Sequence, residues 1–320
     1  MHRRSNGSAL FLLAIVACSA AARAQRSAVF TADTRLVVLH ATVVDNKGRL
    51  VTNLPRSAFR VYEDGTEQQL KLFKREDIPV SMAIVIDNSG SMRDKRRKVE
   101  DAAMALVKAS NPQDEVCVVN FNDEAYLDVS LTSDVKKLEG GVARIDSRGG
   151  TAMRDAIDLS MDYLRSKGKR DKKVIVVVTD GNDNSSEITL EKLVQKAQQR
   201  EVLIYTIGLL DEEEHREAKR AQRALNALAT ATGGVAYYPK ETDNISAFTL
   251  KVAHDIRNQY TLAYSPSNQT LDGSYRQIKV LVNGPKRPTV RTRTGYYATS
   301  DLAKQTAQAE PAAPRPDAAP

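Results

Sequence analysis

Between residue 81 and about residue 239 the chain repeats one device. A short run that is nearly all apolar is followed by a longer stretch with helical periodicity. The apolar runs are MAIVID (82–87), EVCVVNF (115–121), AYLDVSL (125–131), KVIVVVTD (173–180), VLIYTIG (202–208) and VAYYP (235–239). The helical patterns fall at roughly 95–109, 152–167, 189–200 and 216–231. A strand without a polar face must be covered on both sides, and strands alternating with helices are joined by right-handed crossovers into a parallel sheet. The expected fold class is therefore α/β, with a doubly wound, mostly parallel sheet. The run 125–131 follows residue 121 too closely for a crossover and is expected as an antiparallel edge strand.

The flanks read differently. Residues 27–80 are β in pattern: TRLVVLHATVVDNKGRLVTNL carries two strands around DNKG, and AFRVYEDGTEQQLKLFKRE carries two around EDGT. Asp-Gly between apolar runs is a strong hairpin signal. After a last helix, TDNISAFTLKVAHDIRNQ, residues 257–300 hold three more strands, YTLAYSP, SYRQIKVLVN and VRTRTGYYA. Neither flank alone has enough strands to bury a core. The economical arrangement is one small β-sandwich built from both, with the α/β unit of residues 81–256 inserted in it. The Ala/Pro-rich residues 301–320 are expected to be a disordered tail.

The N-terminus has Arg3 and Arg4, an apolar run from Ala9 to Ala17, and small residues ending in ARA before Gln25. This is the pattern of a secretory signal peptide, residues 1–24, cleaved after Ala24. IVAC at 15–18 resembles a permissive bacterial lipoprotein box, which offers lipidation at Cys18 as the alternative. Either way the chain is expected to be exported, to the periplasm, the cell surface or the medium. No run in the mature chain is long and apolar enough for a transmembrane helix.

Loss of residues 1–24 removes Arg3, Arg4 and Arg23 and no acid, so the net charge falls from +7 to +4. The remaining bases alternate with acids, as in DKRRKVED and DEEEHREAKR, and read as solvated helix faces. With Trp absent and aromatics at 5 %, a nucleic-acid surface is not expected. Cys117, in an apolar strand, is expected to act as a small buried hydrophobe.

Chemistry is expected where open parallel sheets place it, beyond the carboxyl ends of the strands near the point where the winding reverses. Asp87 ends one apolar run and Asp180 another, while Thr151 follows Gly149-Gly150 at a helix start. Ser89 and Ser91 alternate with Asp87, so an extended turn lets all three side chains point one way. Hydroxyls and carboxylates without thiolate or imidazole suit a hard divalent cation: Mg2+, Mn2+ or Ca2+ rather than zinc or copper. The bland alternative is that Ser89, Ser91 and Thr151 cap helices, as Asp155 or Asp183 could also do. Asp155 and Asp183 could equally orient groups around the ion.

DNSGSM, GGTAMRDA and VVTDGNDNSS, in this order, resemble the von Willebrand factor type A domain and its metal-ion-dependent adhesion site of pattern D-x-S-x-S, T, D. All five positions match: Asp87, Ser89, Ser91, Thr151 and Asp180. The flanks resemble the acidobacterial type of this family. The resemblance implies a Rossmann-like sheet with a divalent ion at its top edge, and a protein ligand whose Asp or Glu carboxylate completes the coordination. A catalytic role is not expected: H-E-x-x-H, G-x-S-x-G, Walker A and G-x-G-x-x-G patterns are all missing. Asp87 is followed by Ser89 where haloacid-dehalogenase phosphatases need a second Asp. The functional expectation is an exported, metal-dependent protein-binding module. The alternatives are a structural envelope protein whose site is not used for recognition and an accessory subunit of an enzyme complex. DEEEHREAKR (211–220) is expected as an exposed helix start, or else as a partner-binding insertion. Tyr237–Tyr238 and Tyr296–Tyr297 are expected to pack in strands.

Overall fold

The computed structural model describes residues 35–142, 148–181, 183–210, 215–240 and 244–299. The expected signal peptide, the Ala/Pro tail and the acids 211–214 lie outside the described residues. The chain opens with strands β1 (Val37–Val44), β2 (Phe59–Glu63), β3 (Thr66–Gln68) and β4 (Leu70–Lys74). The next strands are β5 (Val80–Asp87), β6 (Glu115–Phe121), β7 (Ala125–Thr132), β8 (Lys172–Thr179), β9 (Leu203–Gly208) and β10 (Ala236–Tyr237). Helices α1 (Arg96–Ala109), α2 (Val135–Val142), α3 (Met153–Lys167), α4 (Leu190–Arg200), α5 (His215–Thr232) and α6 (Ile245–Arg257) accompany them. β11 (Tyr260–Tyr264), β12 (Tyr275–Val282), β13 (Thr289–Arg291) and β14 (Gly295–Tyr297) close the described chain.

The middle strands form one six-stranded sheet in the order β10-β9-β8-β5-β6-β7. All its pairs are parallel except β6 with β7, which is the antiparallel edge expected from the short 121–125 connection. Alternation along the strands divides the core in two. Met82, Ile84, Ile86, Val116, Val118 and Val176 face α1, α2 and α6. Ala83, Val85, Cys117, Val119, Ile175 and Val177 face α3, α4 and α5. Cys117 is fully buried, and burial pushes its thiol up to about 12, so it is a packing residue.

The flanks pair with each other as two antiparallel four-stranded sheets, β13-β1-β11-β4 and β14-β12-β2-β3. They share one core, with Val37, Leu39, Tyr260 and Leu262 on one side and Phe59, Val61, Ile278 and Tyr296 on the other. The sheet of parallel strands is thus inserted in a small β-sandwich. Buried Glu63 accepts hydrogen bonds from the hydroxyls of Tyr264 at 2.7 Å and Tyr296 at 3.0 Å. Asp64 and Gly65 both have positive φ, 48° and 82°, the signature of the two-residue hairpin turn that EDGT predicts.

Four segments differ from the expectation. RLVTNL, expected as a second strand after DNKG, makes an isolated bridge from Leu50 to Val44 and no named strand. The run 66–74, expected as one strand, breaks at Gln69, because Gln68 stays in one sheet and Leu70 enters the other. Its last counterpart, VRTRTGYYA, splits likewise into β13 and β14 in different sheets. In both places the chain crosses the sandwich, which a period-two pattern does not reveal. Helix α2 has no counterpart among the helices expected from periodicity. It is eight residues long with Gly140-Gly141 near its end, and Gly141 lets it press directly on the Val129 side chain. Among the described residues, no helix is long and apolar enough to cross a membrane.

Candidate metal centre

From β5 the chain winds through α1 to β6 on one side, and from β8 through α4 to β9 on the other. β5 and β8 are neighbours, so the winding reverses between them and a crevice opens beyond their carboxyl ends. Asp87 ends β5 and Asp180 directly follows β8. The register pairs Ile86 with Val178, which puts Asp87 beside Thr179. The Thr179 hydroxyl donates to Asp87 Oδ2 at 2.5 Å, and the Ser89 amide donates to Oδ1 at 2.8 Å.

From there a chain of oxygens crosses the crevice. Ser89 Oγ lies 3.1 Å from Ser91 Oγ, and Ser91 donates to Asp180 Oδ1 at 2.8 Å. The other oxygen, Asp180 Oδ2, receives the Lys95 ammonium at 2.6 Å. Thr151 reaches the same place through the backbone. Its N–H donates to Asn184 Oδ1 at 2.9 Å and its carbonyl accepts from the Asn184 amide at 3.1 Å. Its hydroxyl lies against Gly181, where a Cβ would stand 3.7 Å from Thr151 Oγ1. All five residues expected to form the site therefore meet at one edge. Four are linked by direct hydrogen bonds, and Thr151 joins them through the loop that follows Asp180.

The loops are stitched to one another. The Asn88 amide donates to the Phe121 carbonyl (2.7 Å), the Arg148 amide to the Asn88 carbonyl (3.0 Å) and the Ala152 amide to the Asn122 carbonyl (2.7 Å). Gly149 takes φ +75°, and a Cβ on Gly150 would stand 2.8 Å from Asn184 Oδ1 and 2.9 Å from Asp123 Oδ1. The Gly-Gly pair is what lets Thr151 approach so closely.

Capping does not account for these hydroxyls. Ser89 precedes a short 3-10 turn, Gly90–Met92, without a side-chain cap bond, and Ala152, not Thr151, occupies the cap position of α3. The start of α3 is held by Asp183, which accepts from the Arg154 amide at 2.7 Å and from the Ser186 hydroxyl at 2.7 Å. Asp155 accepts from the amides of Glu187 and Ile188 at 2.9 and 3.1 Å. Both acids thus tie α3 to the loop 183–188.

The electrostatics suit a cation. Asp87 is 1 % exposed, and burial pushes its carboxyl up to about 6 against the opposing pull of Thr179 and Ser89, with nearby Asp180 raising it further. Its own hydrogen-bond partners are neutral. A buried carboxylate with neutral donors, a second carboxylate and three hydroxyls is a donor set that a hard divalent ion fits.

Three contributors escape a reading of the sequence. Thr179 is visible only once β5 and β8 are in register, and Asn184 only once the loops meet. Lys95 belongs to DKRRKVED, expected as a solvated helix face. Its side chain instead turns in to Asp180, with 28 % of it exposed. Two histidines lie apart from the crevice: His40 is within β1, and His254 is in the last turn of α6, where Arg257 pairs with Asp77 at the opposite edge.

The profile of the von Willebrand factor type A domain matches residues 81–251, more than half of the chain. An uncharacterised protein of Synechocystis is 26 % identical over 178 residues, covering 53 % of this chain and 40 % of that protein. The human inter-alpha-trypsin inhibitor heavy chain H4 is 25 % identical over 229 residues, 65 % of this chain and 23 % of its own length. The chain thus spans less than half the length of these curated relatives. Among solved structures, proximal thread matrix protein 1 of the mussel byssus, with a zinc-occupied metal-ion-dependent adhesion site, superposes with a TM-score of 0.50. It is 16 % identical, over 61 % of this chain and 50 % of that one, a likeness of fold.

Proposed function

This chain belongs to the von Willebrand factor type A domain family, and from that premise we propose that its crevice holds one divalent cation and binds a protein ligand through it. Asp87, Ser89, Ser91, Thr151 and Asp180 would hold the ion, which is Mg2+, or Mn2+ or Ca2+. When bound, such an ion supplies a Lewis-acidic position for a carboxylate oxygen of an Asp or Glu on the partner. The observation that carries the reading is Asp87: a buried carboxylate with neutral donors, joined through the Ser89 and Ser91 hydroxyls to Asp180, with the Thr151 hydroxyl against the neighbouring Gly181.

The chain's own residues prepare the site. Thr179 and the Ser89 amide fix both oxygens of Asp87 before any ion arrives. Ser91 holds Asp180 Oδ1, and the Gly149-Gly150 turn fixes Thr151. Neutral hydroxyls dominate the set, so they leave the ion's charge largely unspent toward a ligand. On the reading of residues 1–24 as an export signal, this binding takes place in the periplasm, at the cell surface or outside the cell.

Calorimetric titration of the purified protein with Mg2+, Mn2+, Ca2+ and Zn2+ tests the site. One saturable event per chain is expected, preferring a hard ion to Zn2+. Thr151→Val, which keeps the shape and removes the hydroxyl, is expected to weaken it by roughly tenfold or more without altering the circular dichroism spectrum. Capture of a protein ligand is expected to vanish in EDTA. Capture that persists equally in EDTA and in Thr151→Val would sink the mechanism.

A further inference from the structure

Lys95 stands at the N-cap of α1, where a lysine is a poor choice. N-caps favour short side chains that accept a hydrogen bond, and the start of a helix repels positive charge. Lys95 makes no side-chain cap bond, and the first turn of α1 holds no acid to offset its charge. Its backbone is nonetheless fixed, with its N–H donating to the Met92 carbonyl at 3.0 Å and its carbonyl accepting from Val99 at 3.2 Å. A residue that breaks the local rules usually gains elsewhere. Here the gain is Asp180, whose side chain is 1 % exposed and whose Oδ2 takes the ammonium at 2.6 Å.

We propose that Lys95 is a tethered counter-cation of the metal centre, one that weakens ion capture and leaves the loaded centre positive toward an anionic ligand. The inference rests on the metal-site reading above and adds the charge balance that decides what the site prefers. With Asp87 ionised, two carboxylates and one ammonium leave the empty centre with a single negative charge. A divalent ion turns that into a single positive charge. Without the lysine the loaded centre would be neutral, and a carboxylate ligand would meet a much weaker field. Over a few ångströms in a partly desolvated crevice, one unit charge is a large effect. Lys95 therefore trades affinity for the ion against affinity for the carboxylate, so that ion and ligand are held best together. Ser91 keeps Asp180 Oδ1 in the crevice while Lys95 anchors Oδ2 from the side of α1.

The test compares the wild-type chain with Lys95→Met, which keeps length and apolar bulk, and Lys95→Arg, which keeps the charge. Mn2+ affinity is measured by calorimetry, and acetate binding to the Mn2+-loaded protein by water-proton relaxation. In Lys95→Met, Mn2+ is expected to bind at least about tenfold tighter and acetate correspondingly weaker. Lys95→Arg is expected to stay within a few-fold of the wild type in both. Saturable Mn2+ binding to Lys95→Met that is no tighter than wild type, or acetate binding that is unchanged, would overturn the role of Lys95 and leave the metal site standing. No Mn2+ binding in any of the three proteins, each with a native melting transition, would instead overturn the metal-site reading and this inference with it.

Discussion

Asp87→Asn is expected to abolish divalent-ion binding and, in the same protein, to raise the stability of the metal-free state at neutral pH. The first effect follows from position. Asp87 is the one buried carboxylate of the crevice whose partners are neutral donors, so its charge is the part of the site an ion most needs. Outer partners of metal ligands account for about 10- to 100-fold in affinity, and a direct carboxylate ligand should reach at least the upper figure.

The second effect follows from linkage. Burial raises the folded carboxyl to about 6 from the ordinary carboxyl value of 3.8. Between those values the folded chain binds more protons than the unfolded one, so wild-type stability falls as pH rises from about 4 to 6 and stays reduced above. Two pH units correspond to about 3 kcal/mol. Asparagine is nearly isosteric: its oxygen can accept from the Ser89 amide, and its NH2 can donate to a rotated Thr179 hydroxyl. The gap between variant and wild type should therefore open between pH 4 and 6 in EDTA. Added ion should close or reverse it for the wild type alone, through binding to the folded state. Denaturation across pH, with and without Mg2+, reads both halves. An asparagine variant that is less stable in EDTA at pH 7 would refute the account of Asp87.

Gly234→Ala is expected to destabilise the fold by about 3 kcal/mol, a fall in melting temperature of roughly 6–12 °C. Gly233 and Gly234 end α5 where it meets both the parallel sheet and the sandwich. Their amides both donate to the Ala229 carbonyl, at 3.0 and 2.9 Å. A Cβ on Gly234 would fall onto the Ile204 carbonyl within β9, where only backbone could yield. Gly233 takes φ +91°, and its Cβ would stand 2.7 Å from Arg293 N. Gly48→Ala is the control. That residue has φ +73° but open space around it, so it isolates backbone strain, about 1 kcal/mol. Equal melting temperatures for the two variants would show that the close approach at Gly234 carries no cost of its own.

How much of this was legible before the structure depended on which forces were local. The parallel strands announced themselves because burial on both faces leaves no polar alternation, as in Val174–Val178. The D-x-S-x-S turn was legible because Asp87, Ser89 and Ser91 are near neighbours in sequence. Thr179 was not, because its contact with Asp87 exists only through strand register. Lys95 differs from its solvent-facing expectation because charge-rich composition is a good guide to a helix face but says nothing of one cap residue. The strand breaks at Gln69 and at 292–294 were hidden for the same reason: both sheets of a sandwich use the same alternating pattern.

The inserted arrangement also dictates an order of assembly. Beyond a local bridge from Val44 to Leu50, β1 pairs with β11 and β13, and beyond its hairpin with β3, β2 pairs with β12, all encoded after the parallel sheet is complete. Contacts so distant along the chain carry a heavy closure entropy and are slow to form. The parallel sheet removes that obstacle by bringing its own ends together, since Asp77 and Arg257 meet at 2.7 Å. Chain synthesis would thus leave the first strands waiting, with the β2–β3 hairpin and the short Val44–Leu50 bridge as their local pairings. Pulsed hydrogen exchange during refolding should find amides of β5, β6 and β8 protected well before those of β1 and β11. Simultaneous protection would show instead that the two parts nucleate as one. On the expected order, the crevice can be shaped and ready while the sandwich that carries it is still unmade.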